Sequence, residues 1–408
     1  MHKTIVLLVA SAMLLAGCDL SSIGIETNPH KDLSLSTKAV EYVEKGNDFS
    51  LNFLEKACES SENSFVISPL SLQFLLGMIL DGAQGQTADE ICNVLGYGAG
   101  ETASVNDYCK SMLTQLPMLD GKTTLKIANA ILVDKRGELL DSYRTTVTNY
   151  YEAYVESVDF TNGPSAVNKV NSWCSRNTNG LITKIIDRIS PDTYAILMNA
   201  LYFKSKWANP FEKSATVDED FTNEAGDRSR LKMMKQNKSL AYTWSDVCHA
   251  VRLPYGNGAF SMVVVLPEDG HTVADATAYL KKTGWKAFAR SMSSRQVDLW
   301  LPRFEAKYEA ELNDMLSQLG MPTAFTFSAD FSAMTKQPVY IGFIKQKAII
   351  KVDEEGSEAA AVSIGGMKAT SAGPDPDGPV VFHADRPFLY FITENSSGAI
   401  LFSGRFNG

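Results

Sequence analysis

The stretch KVDEEGSEAAAVSIGGMKATSAGPDPDGP, residues 351–379, fits no fixed secondary structure. Between residues 356 and 363 only Glu358 and Val362 are larger than serine, whereas buried strands are rich in β-branched and aromatic residues. The paired glycines and the prolines that follow would end a helix soon after it began. Because strongly apolar, strand-like segments flank this stretch on both sides, it predicts a loop with a special role between two strands of a folded domain.

The rest of the chain has ordinary globular composition. Of its 408 residues, 45% are hydrophobic and 21% are charged, with a formal net charge of −9. No basic run exceeds the pair Lys281-Lys282, which argues against binding of nucleic acid or of an anionic membrane surface. Helical periodicity dominates the first half and strand-like segments follow from Ala195 onward, without repeats or internal linkers. These patterns predict a single α+β domain.

Three elements are predicted in detail. The segment from Ser68 to Ala83 has a proline at its start and a broad apolar face, which is typical of a buried helix. Thr87 and Glu90 have capping-box spacing, which predicts that a second helix begins at Thr87. The nearly continuous apolar run Ala195 to Phe203 predicts a central strand that is buried on both faces.

The N-terminus is typical of a secreted bacterial lipoprotein. Residues 1–17 contain an apolar run that is too short to span a bilayer but fits a signal peptide. The sequence LAGC ending at Cys18 resembles a lipobox, in which the cysteine is acylated and two or three chains anchor the protein stably. The alternative is a plain secretory signal with a coincidental cysteine. Residues 18–38 are polar and predict a flexible tether, followed by a domain over residues 39–408. The expected location is the bacterial cell surface or the periplasmic face of a membrane.

Neither a metal site nor a cofactor is expected. The five cysteines after Cys18 are odd in number, lack CxxC spacing and lie mostly among apolar neighbours, which predicts buried free thiols. These residues are Cys58, Cys92, Cys109, Cys174 and Cys248.

The sequence also carries little that resembles an enzyme active site. His249, His271 and His383 lack metal-ligand spacing, and GxSxG, P-loop and GxGxxG motifs are absent. Acidic clusters such as Asp353-Glu354-Glu355 could supply paired carboxylates, but acidic residues at turns usually face solvent. The sequence therefore predicts a protein that is not an enzyme.

Eight sequence blocks occur in the order and at the spacing of the serpin family, over residues 40 to 408. They are NSFVISPLSL (63–72), NALYFKSKWANPF (199–211), LWLPRFE (299–305), LGMPTAF (319–325), ADFSAM (329–334), DEEGSEAAA (353–361), HADRPFLYFI (383–392) and AILFSGRF (399–406). The chain resembles the serpins. The resemblance implies one domain with a large central, mostly antiparallel sheet, further smaller sheets, eight or nine helices and an exposed reactive-centre loop at about residues 354–380.

The resemblance also implies roles for individual residues. Ser68 and Ser71 match the positions of the shutter, where the central sheet parts. Asn199 matches its buried asparagine, and Trp207 the tryptophan of the breach at the top of the sheet. Gln346 stands where the family usually has histidine. We expect its amide to substitute for that histidine, since an amide both donates and accepts. The loop hinge comprises Glu354, Glu355, Gly356, Ser357, Glu358, Ala359, Ala360 and Ala361.

Inhibitory serpins, the resemblance implies, expose this loop as bait and insert it into the central sheet after cleavage. Period-two alternation places Ser357, Ala359, Ala361, Ser363 and Gly365 on one face of the loop. That face carries no charge and nothing larger than serine, as insertion between existing strands requires. Gly356 can act as the pivot, because glycine changes backbone region at little cost.

The expected function is irreversible suicide-substrate inhibition of serine endopeptidases by a monomer. Counting seventeen residues from Glu354 places Thr370 before the cleaved bond, and shorter counts select Ala369 or Lys368. Lys368–Ala369 is the favoured bond because a lysine suits trypsin-like enzymes. Met367, Ala369 and Thr370 are alternatives that suit chymotrypsin-, subtilisin- or elastase-like pockets, and Ser371 is a further alternative. Inhibition of cysteine proteases stays open.

Three other functions remain as alternatives. They are a non-inhibitory surface-tethered serpin, a lipoprotein that only binds a partner, and a tethered hydrolase with an unrecognised site.

Overall fold

The computed structural model describes residues 28–357 and 378–408. These residues form nine α-helices and fifteen strands. The helices are α1 Thr37–Ser60, α2 Pro69–Gly82, α3 Gly85–Leu95, α4 Thr102–Gln115, α5 Asp141–Tyr151, α6 Gly163–Asn177, α7 Val273–Thr283, α8 Trp285–Arg290 and α9 Asn313–Leu319. The strands are β1 Phe65–Ile67, β2 Thr124–Asp134, β3 Tyr154–Val158, β4 Ala195–Lys206, β5 Val217–Thr222, β6 Arg228–Trp244, β7 Cys248–Tyr255, β8 Phe260–Pro267, β9 Ser293–Pro302, β10 Phe304–Glu311, β11 Lys345–Val352, β12 Gly356–Ser357, β13 Val380–His383, β14 Phe388–Glu394 and β15 Ile400–Phe406.

Six strands form the central sheet, in the order β10-β11-β12-β4-β2-β3. Every neighbouring pair is antiparallel except β2 and β3, which run parallel. The other nine strands are linked in a second sheet, in the order β1-β15-β14-β8-β7-β6-β9-β13, with β5 paired to β6. The prediction of a single α+β domain with a mostly antiparallel central sheet is confirmed.

The central sheet is covered on both faces. Alternate residues of β4, among them Met198 and Ala200, pack in an apolar cluster with Val170 and Trp173 of α6. On the other face Phe203 belongs to the main core. Burial on both faces explains why the sequence of this strand is almost continuously apolar.

Helix α2 runs through the main core behind the central sheet. Its cap is Ser68, whose hydroxyl accepts a hydrogen bond from the amide of Ser71, and Pro69 occupies the first turn. Nearly every side chain of the helix is buried, so its position is fixed by packing around its whole circumference. The helix predicted from this segment is confirmed, and its N-terminal end lies at the middle of the central sheet.

The capping box predicted at Thr87 and Glu90 is wrong. Helix α3 begins earlier, at Gly85, and Thr87 is a buried residue within it whose hydroxyl accepts from the amide of Asp330. The Glu90 carboxylate accepts instead from the amide and hydroxyl of Thr323. Both side chains therefore fix a distant loop against α3, a use that sequence spacing alone does not distinguish from capping.

The described part of the expected tether, residues 28–38, lies against the domain. The Asn28 amide donates to Asp120 at 2.7 Å, the amide of Leu33 donates to the Ser396 hydroxyl, and Ser34 and Gln115 exchange two hydrogen bonds. Helix α1 then begins at Thr37, two residues before the expected domain boundary. The ordered domain thus reaches at least ten residues further toward the N-terminus than residue 39.

The thiols behave as the sequence predicts. Cys92, Cys109, Cys174 and Cys248 are buried and free, and Cys58 is partly buried and free. Burial raises the pKa of the Cys248 thiol to about 11 and that of Cys58 to about 12. Such thiols stay protonated and unreactive near neutral pH.

Within the described ranges, no helix combines the length and the apolar character needed to cross a membrane.

Candidate functional site: the breach and shutter of the central sheet

The hinge of the loop already takes part in the central sheet. Strand β12 lies between β11 and β4, with Gly356 opposite Lys206 and Ser357 opposite both Ser205 and Val352. Beyond this short strand, β4 pairs with β2 on its outer side and β11 pairs with β10 on its outer side. The described residues of β4 and β11 do not pair with each other. The sheet is therefore open along the line that a continued β12 would follow.

Hydrogen bonds from the breach hold the hinge in this position. The indole of Trp207 donates to the carbonyl of Asp353 at 2.8 Å, and its amide donates to the carbonyl of Glu355 at 2.9 Å. The Trp207 ring stacks on Tyr255, with 4.4 Å between ring centroids. The Tyr255 hydroxyl is 2.5 Å from the hydroxyl of Ser357, so Trp207 and Tyr255 together fix the described part of the hinge.

Gly356 is required by the close approach of β12 to β4. A Cβ atom at this position would lie 2.1 Å from the carbonyl oxygen of Ser205 and 2.7 Å from the Cα of Lys206. Both contacts are to backbone, which cannot move aside. The resemblance to serpins implies that this glycine is a pivot, and the geometry adds that no side chain fits there at all.

The carboxylate of Glu354 is buried, with only 1% of the residue exposed. Burial alone would raise its pKa, but hydrogen bonds from Arg303 at 2.6 Å and Thr216 at 2.7 Å outweigh this and hold the pKa below its usual range. The neighbouring Glu355 is bonded to Lys213 at 2.6 Å. The expectation that this acidic cluster faces solvent is therefore wrong for Glu354, which ties the hinge to β9–β10.

Gln346 replaces a histidine of the family pattern by bonding to the backbone of Ser68. Its amide oxygen accepts from the Ser68 amide at 3.0 Å, and its amide nitrogen donates to the Ser68 carbonyl at 2.9 Å. The Ser68 hydroxyl donates to the carbonyl of Leu401 at 3.1 Å. This reciprocal pair joins β11 to the start of α2, as an amide that both donates and accepts can do.

A second polar chain runs from α2 across β4 and β2. The hydroxyl of Ser71 donates to the side-chain oxygen of Asn199. The Asn199 amide donates to Asn129 at 2.6 Å, and the Asn129 amide donates to the carbonyl of Tyr151 at 2.6 Å. Strands β4 and β2 are thus bound to each other and to the end of α5, whereas Gln346 holds β11 on the other side of the opening.

The structure brings together Ser68, Ser71, Asn199 and Gln346 at the middle of the sheet and Trp207 with Glu354–Ser357 at its top. The other ten predicted residues lie outside the described part of the chain: Cys18, Glu358, Ala359, Ala360, Ala361, Met367, Lys368, Ala369, Thr370 and Ser371.

Sequence reasoning missed Tyr255, Arg303 and Asn129. Arg303 belongs to one of the quoted serpin blocks, but nothing in the sequence pairs it with Glu354. The described residues contain no group of His, Cys, Asp or Glu that could hold a metal ion.

Replacing Gln346 with leucine is expected to destabilise the native protein by about 1–3 kcal/mol, because the buried amide of Ser68 loses its partner. Lys347→Leu is the matched control, since Lys347 points to the opposite face and bonds to Glu309. That change should cost about 1 kcal/mol or less. Urea unfolding of both variants measures the difference, and equal losses would contradict the role assigned to Gln346.

Comparisons with known proteins agree with this geometry. The family model for serpins, the serine protease inhibitors, matches residues 44–408. Human Serpin B3 is 32% identical over 389 residues, which cover 89% of this chain and 98% of that protein. The native structure of tengpin, a thermophilic serpin, superposes with a TM-score of 0.81 at 27% identity, covering 94% of this chain and 97% of tengpin. Human thyroxine-binding globulin complexed with thyroxine superposes with a TM-score of 0.80 at 26% identity, covering 90% and 98%. The chain belongs to the serpin family.

Proposed function

We propose that this serpin inhibits serine endopeptidases irreversibly, as a suicide substrate whose cleaved loop inserts into the central sheet. The observation that supports this proposal best is the pairing of β12 with both β4 and β11. Ser357, the first small residue of the loop, already pairs with both β4 and β11, and it is 1% exposed. The loop thus begins as a strand in the opening of the sheet, and its next residues have the size and polarity to continue there.

The register of β12 assigns an inward face to the rest of the loop. If the inserted loop continues this antiparallel pairing, Ala359 will lie opposite Phe203 and Ile350, both of which lie in the main core. Ser363 will then lie opposite Asn199 and Gln346, at the shutter. The odd-numbered loop residues, which would face the core, are the small and uncharged ones. Each of them is therefore suited in size and polarity to the apolar space between β4 and β11.

The covalent step requires only the chemistry of the protease. Its serine oxygen attacks the carbonyl carbon of Lys368, the bond to Ala369 breaks, and the new amine of Ala369 leaves with a proton. The protease remains joined to Lys368 through an ester. Insertion of the residues before Lys368 then carries the enzyme along the sheet and distorts it before water can hydrolyse the ester. The protein itself supplies no catalytic group.

We infer a broad set of partners from the residues around the bait. Lys368 fits trypsin-like enzymes, whereas Met367, Ala369, Thr370 and Ser371 fit subtilisin- or elastase-like pockets. Cysteine proteases, which also form acyl-enzymes, are a further class to test. We also propose that the protein acts as a monomer, anchored to a membrane of a bacterial cell through lipid on Cys18.

Trypsin is expected to form a complex that survives denaturing gel electrophoresis, and mass spectrometry should identify a released fragment that starts at Ala369. In Lys368→Ala, complex formation with trypsin should fall by about 100-fold, because its acidic pocket loses the charge it binds. Complexes with elastase should persist in this variant, which controls for misfolding. Cleavage in the trypsin complex outside residues 367–371 would refute this assignment.

A second candidate function is binding of a ligand or partner without inhibition. One structural relative, thyroxine-binding globulin, is complexed with a hormone rather than with a protease. This alternative expects no covalent complex with trypsin, subtilisin or elastase. The small residues Ser357, Ala359 and Ala361 on the inward face favour inhibition, because a loop that never inserts has no need of them.

A further inference from the structure

Helix α2 carries an aspartate near its C-terminal end that forms no ion pair with any residue that the structure describes. Asp81 is partly exposed, but its Oδ2 atom is shielded from solvent and forms no hydrogen bond within the described residues. Its Oδ1 atom accepts from the side-chain amide of Asn106, on α4, at 2.7 Å. A carboxylate with one shielded, unbonded oxygen is costly in its ionised form, because shielding from solvent disfavours the charge.

A continuous chain of hydrogen bonds joins this carboxylate to the shutter. The side-chain oxygen of Asn106 accepts from the hydroxyl of Tyr151 at 2.8 Å. The carbonyl of the same tyrosine accepts from Asn129, which accepts from Asn199, which accepts from Ser71. The chain leaves α2 at Asp81 and returns to α2 at Ser71, ten residues earlier. Both ends of the helix are therefore connected through α4, α5, β2 and β4.

The titratable groups of α4 and α5 that face Asp81 are neutral. Cys109 lies on α4, and Tyr143 and Tyr151 lie on α5, all buried with pKa values raised by burial. On the segment that packs against the end of α2, Met334 contacts Gly82, and the carboxylate of Asp330 bonds to Ser332. Burial raises the pKa of Asp81 to about 7, and the hydrogen bond from Asn106 opposes this only in part.

We propose that Asp81 makes the shutter sensitive to pH, because ionisation of this carboxyl weakens the packing of α2 on α4 and α5 and the polar chain that leads to Ser71. At mildly acidic pH the neutral carboxylic acid leaves the helix and the chain in place. Above neutrality the buried charge raises the free energy of the native state, and the central sheet opens more readily. The kinetic part of this inference rests on the proposed inhibitory function.

The direction follows from proton linkage. An aspartate in an unfolded chain has a pKa near 3.8, so between about pH 4 and 7 the native protein binds a proton at Asp81 that the unfolded chain does not. The stability of the native state therefore falls as pH rises through this window and levels off above it. Within the window the contribution of Asp81 to the unfolding constant approaches about tenfold for each pH unit.

The test compares the wild type with Asp81→Asn and Asp81→Leu between pH 5 and 8.5. Neither variant titrates at this position, so the ratio of wild-type to variant unfolding constants, from urea unfolding, should rise by about tenfold for each pH unit between about pH 5 and 7. Two variants are used because asparagine leaves a buried amide unpaired and leucine leaves Asn106 unpaired. The second readout is the half-life of inhibitory activity at a fixed elevated temperature, which should shorten with rising pH in the wild type alone.

Glu90→Gln serves as the control. Hydrogen bonds from Thr323 lower the pKa of the Glu90 carboxyl, so this group does not titrate between pH 5 and 8.5. That variant should keep the wild-type pH profile. Parallel unfolding profiles of the wild type and both Asp81 variants would overturn the proposal, whatever the inhibitory activity. Loss of the proposed inhibitory function would appear separately, as absence of protease complexes at every pH.

Discussion

Replacing Ala359 with arginine is expected to turn the protein from an inhibitor of serine proteases into a substrate that they cleave and release. If the loop inserts in the register of β12, residue 359 lies between Phe203 and Ile350, which are 8% and 7% exposed. Burying an unpaired guanidinium there costs several kcal/mol, which opposes each further step of insertion. Because deacylation of the protease continues at its normal rate, slow insertion means that the enzyme escapes.

The matched control is Glu358→Arg, one residue earlier in the same loop. Its side chain would emerge on the opposite face, beside Lys204 and Lys351, and Lys351 is exposed to solvent. This arginine can stay hydrated, so we expect most of the inhibition to remain. The measurement is the number of inhibitor molecules consumed for each trypsin molecule trapped, together with the amount of complex on a denaturing gel. Equal behaviour of the two variants would contradict the alternation of faces, and undiminished complex in Ala359→Arg would contradict insertion itself.

Sequence patterns predicted the elements that are buried on all sides. The run Ala195 to Phe203 is apolar at almost every position because both faces of β4 are covered, and α2 is apolar around its circumference for the same reason. Strand β10 alternates charged residues with small or aromatic ones, which is the pattern of a half-buried strand, but alanines on its inner face make that pattern weaker than the apolar run of β4. In α1, Gly46 and Asn47 interrupt the helical pattern of the sequence, although both are buried against neighbours.

The sequence predicts residues of the candidate site only where the type of a residue indicates its role. The small residues of the loop indicate insertion from their size, and Gln346 indicates a donor and acceptor from its amide. Nothing local identifies Asn129, Tyr255 or Arg303, because each acts on a partner distant in the chain: Tyr151, Ser357 and Glu354. Such pairs depend on how strands are ordered in a sheet, and this order is a property of the folded chain. The same holds for Asp81, which sequence reasoning passed over.

The open sheet implies a native state that stores free energy. About ten residues joining the ladder, at a net ~0.5–1.5 kcal/mol for each hydrogen bond, contribute on the order of 10 kcal/mol. That amount is comparable to the whole stability of a typical domain, about 5–15 kcal/mol. Under the proposed mechanism the native protein is a kinetically trapped state, and we expect the breach at Trp207 and the shutter at Gln346 to control its release.

Cleavage of the loop near Lys368 is accordingly expected to raise the thermal midpoint of the protein by roughly 20 °C or more, given on the order of 10 kcal/mol of added stability and about 2 °C for each kcal/mol in a large domain. In a protein without loop insertion, cleavage of one peptide bond relaxes the chain, and the thermal midpoint falls or stays unchanged. The C-terminal fragment from Ala369 should stay bound, because β14 pairs with β8 and β15 with β1. Calorimetry of intact and cleaved protein measures the shift, and cleaved Ala359→Arg is the control that should show little of it. A midpoint that is unchanged or lowered in the cleaved wild type would mean that this serpin does not insert its loop, since cutting the chain then frees no strand for the sheet.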